Sequence, residues 1–168
     1  MRDPETSPDL AAFTLAADGP ARTEAIGEAW GRALRGGEVL LLSGDLGAGK
    51  TTLVRGLARG LGVAFGVKSP TFAILLSYPG RLRLHHVDLY RVGDPSDLEE
   101  LGLDDLFAAD AVTVVEWGER LGDLAPAGSV RIALRETGAE LRAIEVEGPR
   151  EPVARLAEAA RTVAGGAR

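Results

Sequence analysis

The sequence predicts an α/β fold with three layers, in which a mostly parallel central sheet carries added antiparallel strands. Short apolar runs alternate with helical patterns along the 168 residues, which is typical of this fold class. A glycine-rich loop, Gly44–Thr51, separates one apolar run from the helical pattern that follows it. Later in the chain, two pairs of strand patterns are joined by short turns, as neighbouring antiparallel strands are.

The first half of the chain contains two helical and two extended patterns. Residues 1–11 carry two prolines, charges and no periodicity, so we expect a flexible lead-in to a single domain over residues 12–164. A short edge strand is predicted at 13–16 and a helix over 20–35, which ends at Gly36 and Gly37. The run 38–43 suits a buried parallel strand, and 52–61 has the apolar spacing of a helix.

The second half contains five strand patterns and two helical ones. Strands are predicted over 71–78 and 81–87, joined by Pro79 and Gly80 in a type II turn, and alternation predicts that one face of the second strand meets solvent. A short acidic helix over 96–106 precedes a buried strand over 111–115. Strands over 130–135 and 141–147 lead to a final helix over 152–164, and residues 165–168 are expected to fray.

The glycine-rich loop has the residue types of a phosphate-binding loop, in which two glycines separated by four residues precede Lys and Thr. Glycines let such a loop curl until its N–H groups point at anionic oxygens. Lys50 is expected to reach the β- and γ-phosphates of a nucleotide, and Thr51 to hold its Mg²⁺. Because the loop follows a strand and opens a helix, the fold is predicted to be that of a P-loop NTPase. The predicted nucleotide-binding residues are Gly44, Asp45, Leu46, Gly47, Ala48, Gly49, Lys50, Thr51 and Thr52.

Two acidic residues end apolar strand patterns, Asp88 and Glu116. A parallel sheet brings the carboxyl ends of its strands to the edge where the phosphate loop lies. Glu116 follows the more apolar run and is the expected Mg²⁺ ligand, while Asp88 is expected to position water or to couple its loop to the nucleotide. Lys50, Asp88 and Glu116 are therefore the candidate catalytic residues, although either acid alone also fits a solvated strand end.

Composition narrows the partners and the location. The chain has no cysteine, which excludes disulfides and thiolate metal sites and fits a cytoplasmic setting. No apolar stretch approaches the roughly 18 residues of a membrane span, and no membrane partner is expected. The net charge of −6 argues against a stand-alone nucleic-acid binder. Neither Lys50 nor Lys68 has the Asp two residues later that guanine specificity requires, so ATP is the expected nucleotide.

Four motifs, in this order and spacing, closely resemble the TsaE (formerly YjeE) family, the bacterial ATPase of tRNA threonylcarbamoyladenosine (t6A) biosynthesis. The similarity runs from about Thr23 to Glu119. The motifs are Gly44–Thr52, Lys68–Phe72, His86–Arg91 and Val115–Arg120.

The resemblance implies that Thr51 and Glu116 ligate Mg²⁺ and that Asp88 is needed for ATP hydrolysis. It also implies partners: a TsaD–TsaB pair transfers the threonylcarbamoyl group to tRNA, so tRNA is contacted through the complex, and hydrolysis is expected to be weak until the pair is present. Gly118 stands where the family often has Pro or Ser, so we expect a more flexible loop around Trp117. The residues that match switch or partner segments are Ser69, Pro70, Thr71, Tyr90, Arg91 and Trp117.

Two other functions fit a phosphate loop. A small-molecule kinase would need a second substrate pocket, and the segments between the predicted strands are short for one. A nucleotide-sensing binding module would need only the loop, with slow hydrolysis as an incidental property. His85 and His86 are adjacent on a predicted strand, so they face opposite sides and do not hold one metal together.

Overall fold

The computed structural model describes residues 9–64, 66–68, 74–93, 96–99 and 102–164. Residues 1–8 of the predicted lead-in, the predicted switch residues Ser69, Pro70 and Thr71, and the predicted tail 165–168 lie outside this part. A 3₁₀ segment, Gly118–Leu124, follows the fifth strand. The other elements are β1 (Leu10–Asp18), α1 (Gly19–Ala33), β2 (Val39–Ser43), α2 (Lys50–Gly60), β3 (Leu75–Tyr78), β4 (Arg83–Asp88), α3 (Ser96–Glu99), α4 (Leu103–Leu106), β5 (Ala111–Glu116), β6 (Val130–Glu136), β7 (Leu141–Pro149) and α5 (Arg150–Ala164).

The described strands form one sheet in the order β1-β7-β6-β2-β5-β4-β3. The four central strands, β6, β2, β5 and β4, are parallel to one another. The outer pairs β1–β7, β7–β6 and β4–β3 are antiparallel. A mostly parallel centre with added antiparallel strands is the arrangement predicted from the sequence.

Buried apolar residues cover both faces of the sheet, as the alternation along β2 illustrates. Leu40 and Leu42 join a core that includes buried residues of α1, α2 and α5. Val39 and Leu41 point the other way, into a second core with Leu121 and residues of the short helices. The sheet is therefore the middle of three layers, which confirms the predicted fold class. No helix among the described residues is long and apolar enough to cross a bilayer.

Helix α1 packs directly on α2, the helix that follows the phosphate loop. Glycines on each helix face the backbone of the other, so closely that a Cβ in their place would meet a backbone carbonyl oxygen. This contact fixes the first helix against the element that carries Lys50. The glycines are Gly27, Gly31, Gly56 and Gly60.

The first strand is longer than predicted, and it includes the last residues of the segment 1–11 that was expected to be flexible. It pairs with β7 from Leu10 opposite Pro149 to Asp18 opposite Leu141. Leu10 and Ala11, which were expected to belong to the flexible segment, are therefore part of the sheet. The reason is tertiary: the length of an edge strand depends on the strand beside it, and β7 is long enough to pair with all of β1.

The turn after β3 is not the predicted type II turn, because Gly80 lacks the positive φ that such a turn requires. A Cβ on Gly80 would come 2.6 Å from the carbonyl oxygen of Leu61. The next residue, Arg81, donates its backbone N–H to that same oxygen at 2.7 Å. The glycine therefore allows a close approach to the end of α2.

Two more predictions about the middle of the chain are wrong. Strand β4 exposes Arg83 at its start, but residues 84–87 are all buried, because Leu84 packs in one core and Val87 in the other. The acidic helix predicted over 96–106 is divided into α3 and α4. Gly102, with φ of +64°, precedes α4, and such a left-handed residue does not continue a helix.

Candidate nucleotide-binding site

The phosphate loop joins the end of β2 to the start of α2. Gly44 and Gly49 have φ angles of +140° and +106°, which residues with a Cβ rarely adopt. A Cβ on Gly44 would also collide with the carbonyl oxygen of Leu134 in β6. Because α2 begins at Lys50, the free N–H groups and the positive end of its dipole face the loop, as in anion-binding helix termini.

Lys50 is buried beneath a tryptophan. Lys50 as a whole residue is only 5% exposed. Its ammonium lies 4.4 Å from the centre of the Trp117 ring. The ammonium donates to the carbonyl oxygens of Gly44 at 2.5 Å and Asp45 at 2.8 Å. Burial lowers the pKa of Lys50, and nearby carboxylates, first that of Glu116, oppose this shift.

Thr51 and Glu116 are joined by a hydrogen bond. The Thr51 hydroxyl donates to Oε1 of Glu116 at 3.0 Å, with Oε2 at 3.2 Å. Strand β5 delivers Glu116 to this place because it pairs with β2 in a register that sets Glu116 beside Leu42. The cluster presents a hydroxyl and a carboxylate, the hard oxygen donors that suit Mg²⁺ held together with substrate phosphates. These two residues therefore fit the expected ion.

A histidine holds the other side of the same carboxylate. His86, fully buried in β4, has its Nε2 2.8 Å from Oε1 of Glu116. Because an ionised carboxylate only accepts hydrogen bonds, a hydrogen bond between these two atoms requires the His86 proton on Nε2. Nδ1 of His86 has no hydrogen-bond partner in the described part of the chain. The sequence pattern alone predicts no role for His86. Alternation puts it on the same side of β4 as Asp88, but its distance to Glu116 depends on strand pairing.

Asp88 ends β4 directly opposite Glu116 on β5. Its Oδ1 accepts the backbone N–H of Tyr90 at 2.9 Å, a short-range contact that fixes the turn after the strand. The structure thus brings both strand-end acids to the edge of the sheet where the loop lies. Arg91, in the same turn, is exposed.

The loop after β5 is tightly packed. Trp117 has a φ of +58°, uncommon for a residue with a side chain, and its ring centre lies 5.2 Å from that of Tyr90. Gly118 is buried, and a Cβ there would come 2.7 Å from Cβ of Leu41. Instead of loosening the loop, as expected from the sequence, Gly118 permits its close contact with β2.

Arg120 connects this loop to the one after β4. Its Nη1 donates to the carbonyl oxygens of Leu89, Tyr90 and Val92 at 3.1, 2.8 and 2.9 Å. Its guanidinium carbon lies 5.6 Å from the centre of the Trp117 ring. Arg120 ends the motif Val115–Arg120, but nothing in the local sequence pattern indicates three carbonyl partners for it.

A cavity of about 120 Å³ adjoins the phosphate loop. Thr23 of α1 and Thr52 of α2 line it, together with Glu140 and Arg142 from the β6–β7 hairpin. On the outer side of the loop, Leu46 is 75% exposed. The site therefore has a walled side next to α1 and an open side near Leu46.

Comparisons with known proteins agree with this geometry. The family model described as "Threonylcarbamoyl adenosine biosynthesis protein TsaE" matches residues 17–144, which include every site residue described above. A relative from Bacillus subtilis, named tRNA threonylcarbamoyladenosine biosynthesis protein TsaE, is 42% identical over 126 residues, covering 74% of this chain and 78% of its own. A relative of the same name from Streptomyces coelicolor is 43% identical over 133 residues, covering 73% and 88%.

The fold has a solved counterpart as well. The crystal structure of Bacillus subtilis YdiB superposes with a TM-score of 0.74 at 30% sequence identity, covering 93% of this chain and 98% of that one. A relative from Treponema pallidum, also named as a TsaE protein, is 45% identical over 105 residues, covering 62% and 78%. The chain belongs to the TsaE family of threonylcarbamoyl adenosine biosynthesis proteins.

Proposed function

We propose that this protein is a Mg²⁺-dependent ATPase that drives a step of tRNA threonylcarbamoyladenosine formation in the cytoplasm, where tRNA is modified. The contact between Thr51 and Glu116 is the observation that carries the proposal. It joins the residue after the loop lysine to a strand-end carboxylate buried to 3% exposure. A hydroxyl after the loop lysine and a strand-end carboxylate are the two side chains that hold Mg²⁺ in P-loop NTPases.

The triphosphate of ATP lies in the curve of the phosphate loop, against the backbone N–H groups at the start of α2. Lys50 exchanges the carbonyl oxygens of Gly44 and Asp45 for phosphate oxygens, which are better partners for an ammonium. The nucleoside extends into the cavity beside Thr23 and Thr52. During hydrolysis, Lys50 and the loop amides stabilise the charge that develops on the phosphates.

Thr51 and Glu116 hold Mg²⁺ through the hydroxyl and carboxylate oxygens. The ion, when bound, neutralises charge on the β- and γ-phosphates. Asp88 orients the attacking water, since its carboxylate lies at the same edge of the sheet and opposite Glu116 in the β4–β5 register. The alternative role for Asp88, that of coupling its loop to the nucleotide, is supported by its hydrogen bond to Tyr90.

The partner is a TsaD–TsaB pair, and tRNA is reached through it. Exposed apolar side chains next to the site support a protein partner there: Leu46 is 75% exposed and Tyr90 is 47% exposed. The net charge of −6 fits a subunit that leaves tRNA contacts to others. We propose Ser69, Pro70, Thr71, Arg91 and Trp117 as further switch or partner residues, with hydrolysis slow until the pair binds.

Steady-state ATP hydrolysis, measured alone and with the TsaD–TsaB pair of the same organism, tests the proposal. We expect weak activity alone and a strong increase with the pair. Glu116→Gln should lower both activities by at least about a hundredfold, as loss of charge stabilisation does. Glu147→Gln, an exposed acid of β7, serves as the matched control.

Three outcomes contradict parts of the proposal. Wild-type turnover by Glu116→Gln would exclude Glu116 from the metal site. No increase with the pair would exclude coupling to it. A hydrolysis-dead variant that supports tRNA modification as well as wild type would instead favour a nucleotide-sensing binding module, and a phosphorylated metabolite in the reaction would favour a kinase.

A further inference from the structure

The carboxylate of Glu116 is held from two sides by protein donors. The Thr51 hydroxyl donates to it at 3.0 Å, and Nε2 of His86 reaches the same oxygen, Oε1, at 2.8 Å. Thr51 belongs to α2, Glu116 to β5 and His86 to β4, so the group of three joins the helix after the phosphate loop to two strands. The two side chains from the strands are 0% and 4% exposed.

The surroundings of His86 are apolar, so burial of its polar ring is unfavourable unless the ring makes a specific contact. Its register partner on β5 is Val114, and Leu84, two residues earlier on the same face, belongs to the apolar core. Nδ1 is buried without a hydrogen-bond partner among the described residues, and an unsatisfied buried polar atom costs about 1–3 kcal/mol. An aliphatic side chain would avoid this cost, but it would not donate to Glu116.

We propose that His86 is a positioning residue that fixes the carboxylate of Glu116 for Mg²⁺, an inference that rests on the proposed function. The Nε2–H group holds Oε1 in one orientation, so that the carboxylate does not have to be ordered when the ion binds. Groups that orient a metal ligand in this way typically contribute about 10- to 100-fold in metal affinity or activity.

The hydrogen bond from His86 differs from that of Thr51 in its relation to the metal site. The ion would be held through the hydroxyl oxygen of Thr51 and the carboxylate of Glu116, so Thr51 would be a ligand as well as a donor to the acid. His86 is fully buried in β4 and lies 2.8 Å from Oε1 of Glu116, and it is not one of the proposed ligands. Among the described residues, its role toward the carboxylate would therefore be orientation alone.

Binding of Mn²⁺ to the protein–ADP complex, followed by electron paramagnetic resonance, tests this role. His86→Phe keeps a ring but removes the donor, and we expect Mn²⁺ affinity to fall by tenfold or more. His86→Gln places an N–H near the position of Nε2 and should recover most of the affinity. ADP affinity in excess chelator should stay within about twofold of wild type in both variants, since His86 does not reach the phosphate loop.

His85→Phe is the matched control. His85 precedes His86, faces the opposite side of β4 and pairs through Nδ1 with the Ser77 hydroxyl at 2.7 Å. The variant therefore loses a partly buried hydrogen bond of the same strand without touching Glu116. We expect its Mn²⁺ affinity to equal that of wild type. Thermal unfolding of all variants separates loss of stability from loss of metal affinity.

A measurement on the unmodified protein keeps the inference testable if His86→Phe does not fold. The chain contains only two histidines, so ¹⁵N-edited NMR of the rings assigns both tautomers. The proposal requires the proton of His86 on Nε2, and a proton on Nδ1 alone would overturn it. Unchanged Mn²⁺ affinity in His86→Phe would overturn it too, as would an equal loss of ADP affinity in chelator, which indicates a purely structural role.

The proposed function and this inference fail in different ways. If wild-type protein binds no Mn²⁺ in the presence of ADP, the metal-dependent function fails and the role of His86 fails with it. If wild-type protein binds Mn²⁺ with ADP and hydrolyses ATP, but His86→Phe does both equally well, only the inference about His86 fails.

Discussion

The Lys50 ammonium lies 4.4 Å from the centre of the Trp117 ring, within the range of a cation–π contact. The same ammonium donates to the carbonyl oxygens of Gly44 and Asp45. The lysine of the phosphate loop is therefore held by its own loop and covered by a residue of the β5 loop. Under the proposed function, phosphate oxygens that attract Lys50 would change both contacts, and nucleotide binding would be linked to the surroundings of Trp117.

The first prediction concerns tryptophan fluorescence. MgADP or MgATP should change the emission of Trp117, because the cation above its ring moves toward the phosphates. Trp30, fully buried and bonded through Nε1 to the carbonyl oxygen of Leu156 at 2.9 Å, should not respond. A fluorescence titration of Trp30→Phe should thus keep the signal, and that of Trp117→Phe should lose it. An unchanged emission of Trp117 would mean that Lys50 keeps its contact with the ring when nucleotide binds.

The second prediction concerns the loop lysine itself. Lys50→Ala should lower the rate of ATP hydrolysis by at least about a hundredfold, since it removes a cation from the phosphates in a site that excludes water. Steady-state kinetics measures the loss. Arg59→Ala removes an exposed cation from the same helix and should leave the rate unchanged. Equal rates in both variants would contradict the assignment of Lys50.

The third prediction concerns the packing of the Trp117 loop. Gly118→Ala adds a Cβ that would come 2.7 Å from Cβ and 2.9 Å from Cα of Leu41, and overpacking of this kind costs about 1–3 kcal/mol in the free energy of unfolding. Gly128→Ala adds a Cβ with no neighbour within 4 Å and should change stability by less than about 0.5 kcal/mol. Urea unfolding measures the free energy of unfolding of both variants. Equal values would show that Leu41 moves aside for the added Cβ without a cost in stability.

The fourth prediction concerns Arg120 as a link between two loops. Arg120→Met removes its hydrogen bonds to three carbonyl oxygens of the β4 loop, worth about 1 kcal/mol at this exposed position. The backbone N–H of Leu89 donates to the carbonyl oxygen of Glu116, and that of Val92 donates to the carbonyl oxygen of Leu89. Hydrogen exchange of these two N–H groups should become about fivefold faster. Arg131→Met, an exposed arginine of β6, should leave these two rates unchanged. Unchanged exchange in Arg120→Met would mean that the loop does not depend on this side chain.

The fold class and much of the site follow from local patterns. A phosphate loop between a strand and a helix predicts both a nucleotide site and a parallel strand, because the backbone geometry that binds phosphate needs that context. Strand-end positions predict that Asp88 and Glu116 reach the same edge, since parallel strands share their direction. The order and spacing of the four motifs also resemble those of the TsaE family, to which the comparisons assign the chain.

Other features depend on which strands become neighbours, and a local pattern carries no such information. The type II turn at Pro79–Gly80 is wrong because the approach of Gly80 to Leu61 decides the turn. The predicted solvent face of β4 is wrong because cores form on both sides of the sheet. The edge strand extends past its expected ends because β7 pairs with its whole length.

The sequence by itself determined the phosphate loop, the two strand-end acids and the alternation of strands and helices, because these depend on residues that are close along the chain. Only the tertiary structure decided that His86 orients toward Glu116, that Arg120 connects two loops and that Trp117 covers Lys50. Those contacts join residues about 30 to 67 positions apart. Their formation depends on the pairing of β2, β4 and β5, which brings these groups together at one edge of the sheet, where buried hydrogen-bonding groups take partners from neighbouring strands and loops.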